Sequence, residues 1–125
     1  MDGLMDLDCG VWQMRTHDEV KAEAPDAFRL WHGAPHLVRF PGGESLQDLV
    51  ARTSGAVRMV LAWHPGQTVV MVGHDSVNRA LLLQLLDQPL SAFGKLVQDP
   101  FTLNEVESDG DKIQILRIND TSHLL

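Results

Sequence analysis

The sequence predicts an α/β fold, and three features of the chain carry this prediction. Apolar residues repeat every 3.6 positions across Ser45–Trp63, which indicates a long amphipathic helix. The short apolar run Thr68–Val72 is typical of a strand buried on both faces in a parallel sheet, and a leucine-rich helix is expected over Val77–Leu86. Near the end of the chain, Thr102–Glu107 and Lys112–Asn119 flank an Asp-Gly pair, which indicates a β-hairpin.

Two shorter helices are expected before the long one. Thr16-His-Asp-Glu19 has the form of a capping box, in which the threonine side chain and the glutamate satisfy each other's backbone amides. The first helix should therefore run from about Asp18 towards Pro25. A second helix through Ala27–Trp31 should stop at Gly33-Ala34-Pro35.

Composition and charge exclude several classes of protein. The 125 residues are enough for about one domain, and 44% apolar with 22% charged residues is the composition of a soluble globular chain. The net charge of −7 and the scattered basic residues argue against a nucleic-acid partner. The acidic start differs from a signal peptide, and the apolar stretch 80–86 is too short to span a bilayer. We expect a soluble cytoplasmic protein without a membrane partner.

The cysteine and histidine content gives no support to a metal site. One cysteine, Cys9, excludes an internal disulfide, and a small buried side chain is its expected role. None of the six histidines has the helical spacing and supporting acid of a metal site. No metal or organic cofactor is therefore expected.

The segment Gly73-His74-Asp75-Ser76 is the first candidate for chemistry. It lies at the carboxyl end of the expected buried strand and opens the next helix, which is where open α/β sheets bind ligands. Free amides at a helix start favour an anion, and an imidazole can donate a hydrogen bond to a phosphoryl oxygen. The alternative is a loop histidine beside an ordinary helix cap.

The chain resembles the histidine phosphatase (phosphoglycerate-mutase-like) family in five segments that occur in the family's order. They are LMDLDCGVWQ (4–13), RFPGGESLQDLVAR (39–52), VVMVGHDSVNRALLLQLL (69–86), LNEVE (103–107) and INDTSHL (118–124). The resemblance implies a three-layer phosphoglycerate-mutase-like fold with a mostly parallel central sheet. The family's first strands and first helix have no counterpart, so residues 1–125 are expected to form one partial, N-terminally truncated domain.

The resemblance also implies catalytic residues. His74 matches the family's second active-site histidine, which contacts the phosphoryl group and stabilises its transition-state charge. Asp6 lies where the family has a glutamate that protonates the leaving oxygen, and Asp75 lies where the acid-phosphatase branch has a proton-donating aspartate. Asp6 and Asp75 are thus rival candidates for one role, and a solvated loop acid and a helix cap are their alternatives.

Three further residues are candidates for substrate binding. Ser76 offers a hydroxyl and a backbone N–H in the same turn as His74. Glu44 and Ser45 match a family loop near the substrate mouth, and Ser45 is equally well explained as the N-cap of the following helix. The expected ligand is phosphate or a phosphorylated small molecule, and the sequence does not choose among sugar, glycerate and nucleotide-derived phosphates.

The family's nucleophilic histidine, in an Arg-His-Gly motif, has no counterpart in these 125 residues. We therefore expect a family member with phosphomonoester hydrolysis or phosphoryl transfer as its chemistry, weak or inactive in this chain. The alternative is a non-catalytic pseudophosphatase that binds a phospho-ligand or dimerises, and a third interpretation is a gene fragment or mis-assigned start. An uncovered strand edge at Val69–Val72 predicts a homodimer.

Overall fold

A computed structural model of the chain describes residues 1–124. It contains four α-helices and two β-strands, in the order α1 (His17–Glu23), α2 (Pro25–Gly33), α3 (Leu46–Trp63), α4 (Asp75–Leu85), β1 (Leu103–Asp109) and β2 (Lys112–Asp120). Short 3₁₀ turns lie at Asp2–Leu4, Gly10–Trp12, Pro35–Leu37 and Leu90–Lys95. The α/β class predicted from the sequence is confirmed.

The core lies between α3, α4 and the loops that lead into α3. Leu49 and Thr53 of α3 and Val77 and Ala80 of α4 have no exposed surface. The apolar stripe predicted for α3 is the face that packs there, because residues three and four apart lie on the same side of a helix. Polar contacts join the two helices as well, since the Gln84 side chain donates to the Thr53 hydroxyl at 3.1 Å.

Both short helices form where they were predicted. Thr16 Oγ1 accepts from the Glu19 backbone N–H at 3.1 Å, and the Glu19 carboxylate accepts from the Thr16 N–H, which completes the capping box of α1. Helix α2 begins at Pro25, a residue whose missing N–H costs nothing at a helix start. Its Trp31 packs on Phe40 with ring centroids 5.0 Å apart, and so ties α2 to the core.

The predicted hairpin also forms. Strands β1 and β2 are antiparallel, with Asp109 opposite Lys112 beside a turn in which Gly110 has φ +60°. The Asn104 side-chain oxygen accepts from the Asn119 backbone N–H at 2.9 Å and from the Gln98 amide at 3.0 Å. These buried amide contacts anchor the base of the hairpin.

The strand predicted at Thr68–Val72 is not formed within the described residues. The segment has no regular secondary structure, and no backbone group of residues 68–73 has a hydrogen-bond partner in the described part of the chain. Val70 is 85% exposed and Val72 83% exposed, so the expected burial on both faces is wrong for this chain. A strand exists only through pairing, and the one sheet in residues 1–124 is the antiparallel pair β1–β2.

No helix among residues 1–124 has the length and apolar character required to cross a membrane.

Candidate active site

His74 and Asp6 come together although 67 residues separate them in the chain. The Nδ1 atom of His74 lies 3.9 Å from an Oδ atom of Asp6, and both side chains are more than half exposed. This distance is too long for a hydrogen bond but short enough for a direct electrostatic contact when the imidazole is protonated. Two of the sequence-predicted catalytic residues therefore form one open, solvent-accessible pair.

His74 occupies the N-cap position of α4. Its backbone is extended (φ −122°, ψ 168°), its carbonyl accepts from the Asn78 N–H at 2.8 Å, and its side chain makes no capping hydrogen bond. The imidazole is therefore available to a ligand beside the first backbone amides of α4. Amides at a helix start carry the positive end of the helix dipole, which favours an anion at that place.

Asp6 is held by Arg52, a residue of α3 that the sequence analysis did not select. The guanidinium donates to three backbone carbonyls of the N-terminal segment: Gly3 O at 3.1 Å, Met5 O at 2.6 Å and Asp6 O at 2.9 Å. It also donates to both carboxylate oxygens of Glu44, at 2.7 Å and 3.0 Å. One planar side chain therefore fixes the backbone on which Asp6 is carried.

Glu44 is the second residue that holds the N-terminal segment, and we call the Arg52–Glu44 pair the latch. Its carboxylate accepts from the Asp8 backbone N–H at 2.9 Å in addition to the two bonds from Arg52. The hydrogen bond from Arg52 lowers the pKa of Glu44 below its usual value, and the bond from the Asp8 N–H acts in the same direction. The same pair raises the pKa of Arg52, so both groups are charged across the neutral range.

The loops that carry Asp6 and Glu44 also touch through their backbones. Glu44 N–H donates to Asp8 O at 2.8 Å, and Val11 N–H donates to Pro41 O at 3.0 Å. A Cβ atom on Gly43 would lie 2.6 Å from the Gly10 nitrogen, so glycine is required there for the two loops to approach. The Pro-Gly-Gly-Glu-Ser segment (41–45) thus holds the loop that carries Asp6 in place through backbone contacts.

The remaining predicted site residues lie apart from the His74–Asp6 pair or make other contacts. The Asp75 carboxylate pairs with Arg79 one turn later on α4. Ser76 is half-buried in the first turn of that helix. The Ser45 hydroxyl accepts from the Asp48 N–H at 3.2 Å while Asp48 accepts from the Ser45 N–H at 3.1 Å, so Ser45 is the N-cap of α3 in a second capping box.

Within residues 1–124, no group of three histidine, cysteine or acidic side chains is arranged to hold a metal ion.

Arg52 and Arg79 hold the segments that carry the candidate pair, and sequence reasoning did not select them. Arg79 pairs with Asp75 and donates to Phe93 O at 3.2 Å, which orients the start of α4 against the 3₁₀ turn at Leu90–Lys95. A signal for Arg52 was available, because an arginine eight residues after Glu44 falls in the second turn of the helix that Ser45 caps. The partners on the N-terminal segment, 46 to 49 positions away, left no local signal.

The fold and the His74–Asp6 pair can be compared with those of known proteins. The family model described as Histidine phosphatase superfamily (branch 1) matches residues 1–121. This chain therefore belongs to the histidine phosphatase superfamily, as its sequence motifs predicted.

Relatives of known name agree with this assignment. The chain is 35% identical over 123 residues to phosphoserine phosphatase 1 of Hydrogenobacter thermophilus, a match that covers 98% of this chain and 58% of that protein. Its structure is similar to that of Bacillus stearothermophilus YhfR, with a TM-score of 0.94, 30% identity, and coverage of 98% of this chain and 61% of YhfR.

A mycobacterial glucosyl-3-phosphoglycerate phosphatase, Rv2419c, solved with VO3, has a TM-score of 0.81 and 26% identity; the match covers 95% of this chain and 61% of that one. The chain thus spans about three fifths of the length of each of these three relatives.

Proposed function

We propose that this chain carries one part of a phosphomonoesterase site, in which His74 binds the phosphoryl group and Asp6 protonates the leaving oxygen. The observation that supports this most directly is the 3.9 Å approach of His74 Nδ1 to the Asp6 carboxylate at the start of α4. Membership of a superfamily whose named relatives include phosphatases gives the reaction class. The ligand class is a phosphorylated small molecule or phosphate itself.

The proposed chemistry follows from the two side chains. A phosphoryl group seated at the first amides of α4 would accept a hydrogen bond from the His74 imidazole, which stabilises the charge that develops on its oxygens. As the bond from phosphorus to the leaving oxygen breaks, protonated Asp6 would donate its proton to that oxygen. Ser76, in the same turn, would contribute its hydroxyl or its N–H to the phosphoryl oxygens.

Asp6 is a better candidate for the acid than Asp75. The Asp75 carboxylate is already paired with Arg79 on the same helix. Asp6 has its backbone fixed by Arg52 while its side chain stays exposed beside His74. Glu44 acts through Arg52 in this proposal, as a residue that positions the Asp6 loop. Ser45 acts through its helix cap.

Turnover by these 125 residues alone should be weak or absent, because they contain no Arg-His-Gly motif to supply a phosphorylated intermediate. Water would then have to attack phosphorus directly. The second candidate function is phosphate binding without turnover. It is favoured by the exposure of His74 and Asp6 and by the lack of an Arg-His-Gly motif in these residues. The two candidates share His74 and differ in whether Asp6 matters.

The test is hydrolysis of an aryl phosphate by the purified chain, with His74→Ala and Asp6→Asn as variants. Hydrolysis that disappears in both variants supports the proposed roles. Absence of hydrolysis, with a phosphate-induced rise in melting temperature that His74→Ala removes, supports the binding function. Neither hydrolysis nor a His74-dependent shift would contradict both.

We propose further that two copies of the chain pair along Val69–Val72. The segment is apolar, exposed and without backbone hydrogen-bond partners in the described residues, and an unpaired edge of this kind is a template for another strand. Pairing with a second copy would satisfy these groups and cover Val70 and Val72, the most exposed side chains of the segment. It would also support the backbone that leads into His74.

Sedimentation of the chain at micromolar concentration tests this pairing. Val70→Lys should shift a dimer to monomer, because a charge would be buried at the new interface. Val97→Lys, at a position that is 57% exposed outside the segment, is the matched control and should leave the dimer intact. A wild-type monomer, or equal effects of both variants, would contradict pairing through Val69–Val72.

A further inference from the structure

A cavity, which we call the aromatic cleft, lies on the face formed by α1, α2 and the loop after Asp6. Its volume is about 170 Å³. Its walls are mostly aromatic, and the lining residues are Cys9, Trp12, Arg15, His17, Val20, Phe28, Trp31, His32 and Phe40. None of the candidate catalytic residues lines it. The aromatic cleft is therefore a feature that the proposed phosphatase chemistry does not use.

The rings around the aromatic cleft form a connected set. Trp12 and Trp31 each meet Phe40 nearly edge to face, with centroids 5.1 Å and 5.0 Å apart. On the other wall, the ring centroid of Phe28 lies 4.2 Å from that of His32 and 6.1 Å from that of His17. Aromatic pairs prefer these edge-to-face and offset arrangements, so an additional ring in the cavity would find both faces and edges to contact.

The cleft is preformed because its floor and walls are anchored elsewhere. Phe40 is 1% exposed, and Val20 of α1 is buried. The Thr16 capping box fixes the start of α1. Trp31 also packs on Phe93, with centroids 6.0 Å apart. A cavity of about 150 Å³ lined by apolar side chains is large enough to hold benzene, so this one can hold a single six-membered ring.

The rim of the aromatic cleft is polar. Arg15 lines the cleft and pairs with Glu23 through one of its terminal nitrogens. His17 and His32 are exposed, and His32 Nδ1 contacts Phe28 O at 3.0 Å. A guanidinium and an imidazole can donate hydrogen bonds to an anionic substituent on a ring held inside.

We propose that the aromatic cleft binds a small ligand with one aromatic ring and one anionic substituent. The ring lies between Trp12, Trp31 and Phe28, and the anion meets Arg15 and His17 at the rim. This binding site is independent of His74 and of the proposed phosphatase activity. Aromatic carboxylates and aryl phosphates share the required chemistry, so the probes are benzoate, phenyl phosphate and inorganic phosphate.

The wild-type chain supplies two readouts of occupancy. Two of its three tryptophans, Trp12 and Trp31, line the cleft, whereas Trp63 at the end of α3 is 64% exposed and lies outside it. Benzoate and phenyl phosphate should shift the indole N–H resonances of Trp12 and Trp31 and leave that of Trp63 unmoved. Cys9, the sole cysteine, also lines the cleft, so both ligands should slow its alkylation.

Variants separate the cleft from the His74 site. Phe28→Leu removes a ring at similar size and should weaken binding of both aromatic probes roughly tenfold, the effect of losing one aromatic contact. His74→Ala should leave the benzoate-induced shifts of the Trp12 and Trp31 resonances unchanged. If Phe28→Leu fails to fold, the wild-type indole shifts alone decide the question.

Three results would overturn the proposal. The first is the absence of any shift of the Trp12 and Trp31 resonances with benzoate. The second is an equal response to inorganic phosphate, which would show that the anion alone binds. The third is a response to phenyl phosphate only, lost in His74→Ala, which would place the ligand at the phosphoryl site and count for the proposed function instead.

Discussion

The two residues of the candidate site, Asp6 and His74, lie on segments that differ in how many hydrogen bonds hold them. Arg52 of α3 donates three hydrogen bonds to backbone carbonyls of the segment that carries Asp6. It donates two more to Glu44, whose carboxylate accepts from the Asp8 N–H of the same segment. The segment that leads into His74 has no backbone hydrogen bond from residue 68 to 73 within the described chain. The chain after His74 is held by packing, because Val77, Ala80, Leu82 and Leu83 of α4 are buried.

This difference identifies what limits the site. Catalysis by positioned groups requires both members of a pair to be held, since a displacement of about 1 Å can cost a hundredfold in rate. Asp6 meets that requirement within the chain, whereas His74 is held from one side only. A partner along Val69–Val72 would therefore act on the site through His74, while changes at Arg52 would act through Asp6.

The largest expected effect is on the Asp6 side. Arg52→Met should lower the free energy of unfolding by about 3 kcal/mol, because it removes the latch and leaves the partly buried Glu44 carboxylate without its cation. Urea unfolding measures it. Arg58→Met, an exposed change on the same helix with no ion pair among the described residues, is the control and should cost less than about 0.5 kcal/mol.

Arg52→Lys sharpens this prediction. A lysine keeps the charge but cannot serve two carboxylate oxygens and three carbonyls in one plane, so it should recover less than half of the lost stability. Full recovery would mean that charge alone, and not the guanidinium geometry, holds the Asp6 segment.

The next effect contrasts the two flanks of His74. Val77→Ala should cost about 2 kcal/mol, since Val77 is fully buried and the substitution leaves a cavity. Val70→Ala should cost less than about 0.5 kcal/mol at a concentration where the chain is monomeric, because Val70 is exposed. Thermal unfolding of both variants over a range of concentrations tests the contrast. A large cost for Val70→Ala in the monomer would mean that this segment is covered within one chain.

A smaller effect is expected at Ser45. Ser45→Ala should cost about 1 kcal/mol by removing the hydroxyl that accepts from the Asp48 N–H, whereas Ser45→Gly should cost only a few tenths. Phosphate binding, measured by calorimetry in both variants, should match the wild type. Weaker phosphate binding at unchanged stability would favour the substrate-binding role that the loop's family resemblance suggested.

Local chemistry explains what the sequence could predict. The Thr16 capping box, the Ser45 N-cap and the turn at Gly110 depend on residues within a few positions of one another, and all three are present in the structure. His74 was found because its motif joins a hydrophobic run to a helix start. Its approach to Asp6 was implied by family resemblance, since no local pattern links positions 6 and 74.

Non-local chemistry explains what the sequence could not predict. The hydrophobicity of Thr68–Val72 indicates a strand, but pairing needs a neighbouring strand, and the described chain offers none at that edge. Arg52 was passed over as part of the polar face of α3, because its carbonyl partners lie on a segment without regular structure. The aromatic cleft combines residues of four separate segments, and only folding brings their rings together.

The smallest expected effect is a dependence of stability on acid pH that originates in the latch. Folding lowers the pKa of Glu44 below its ordinary value of 4.5, chiefly through the hydrogen bond from Arg52. The stability linked to this shift is fully present above pH 4.5 and is lost as the pH falls through the folded pKa, because the unfolded chain then binds the proton first.

Urea midpoints measured from neutral pH to below pH 4 should therefore fall more steeply for the wild type than for Arg52→Met. Arg58→Met should follow the wild type. Parallel curves for wild type and Arg52→Met would mean that another carboxylate dominates, and the first alternative is Asp48, whose pKa is lowered by hydrogen bonds from Ser45.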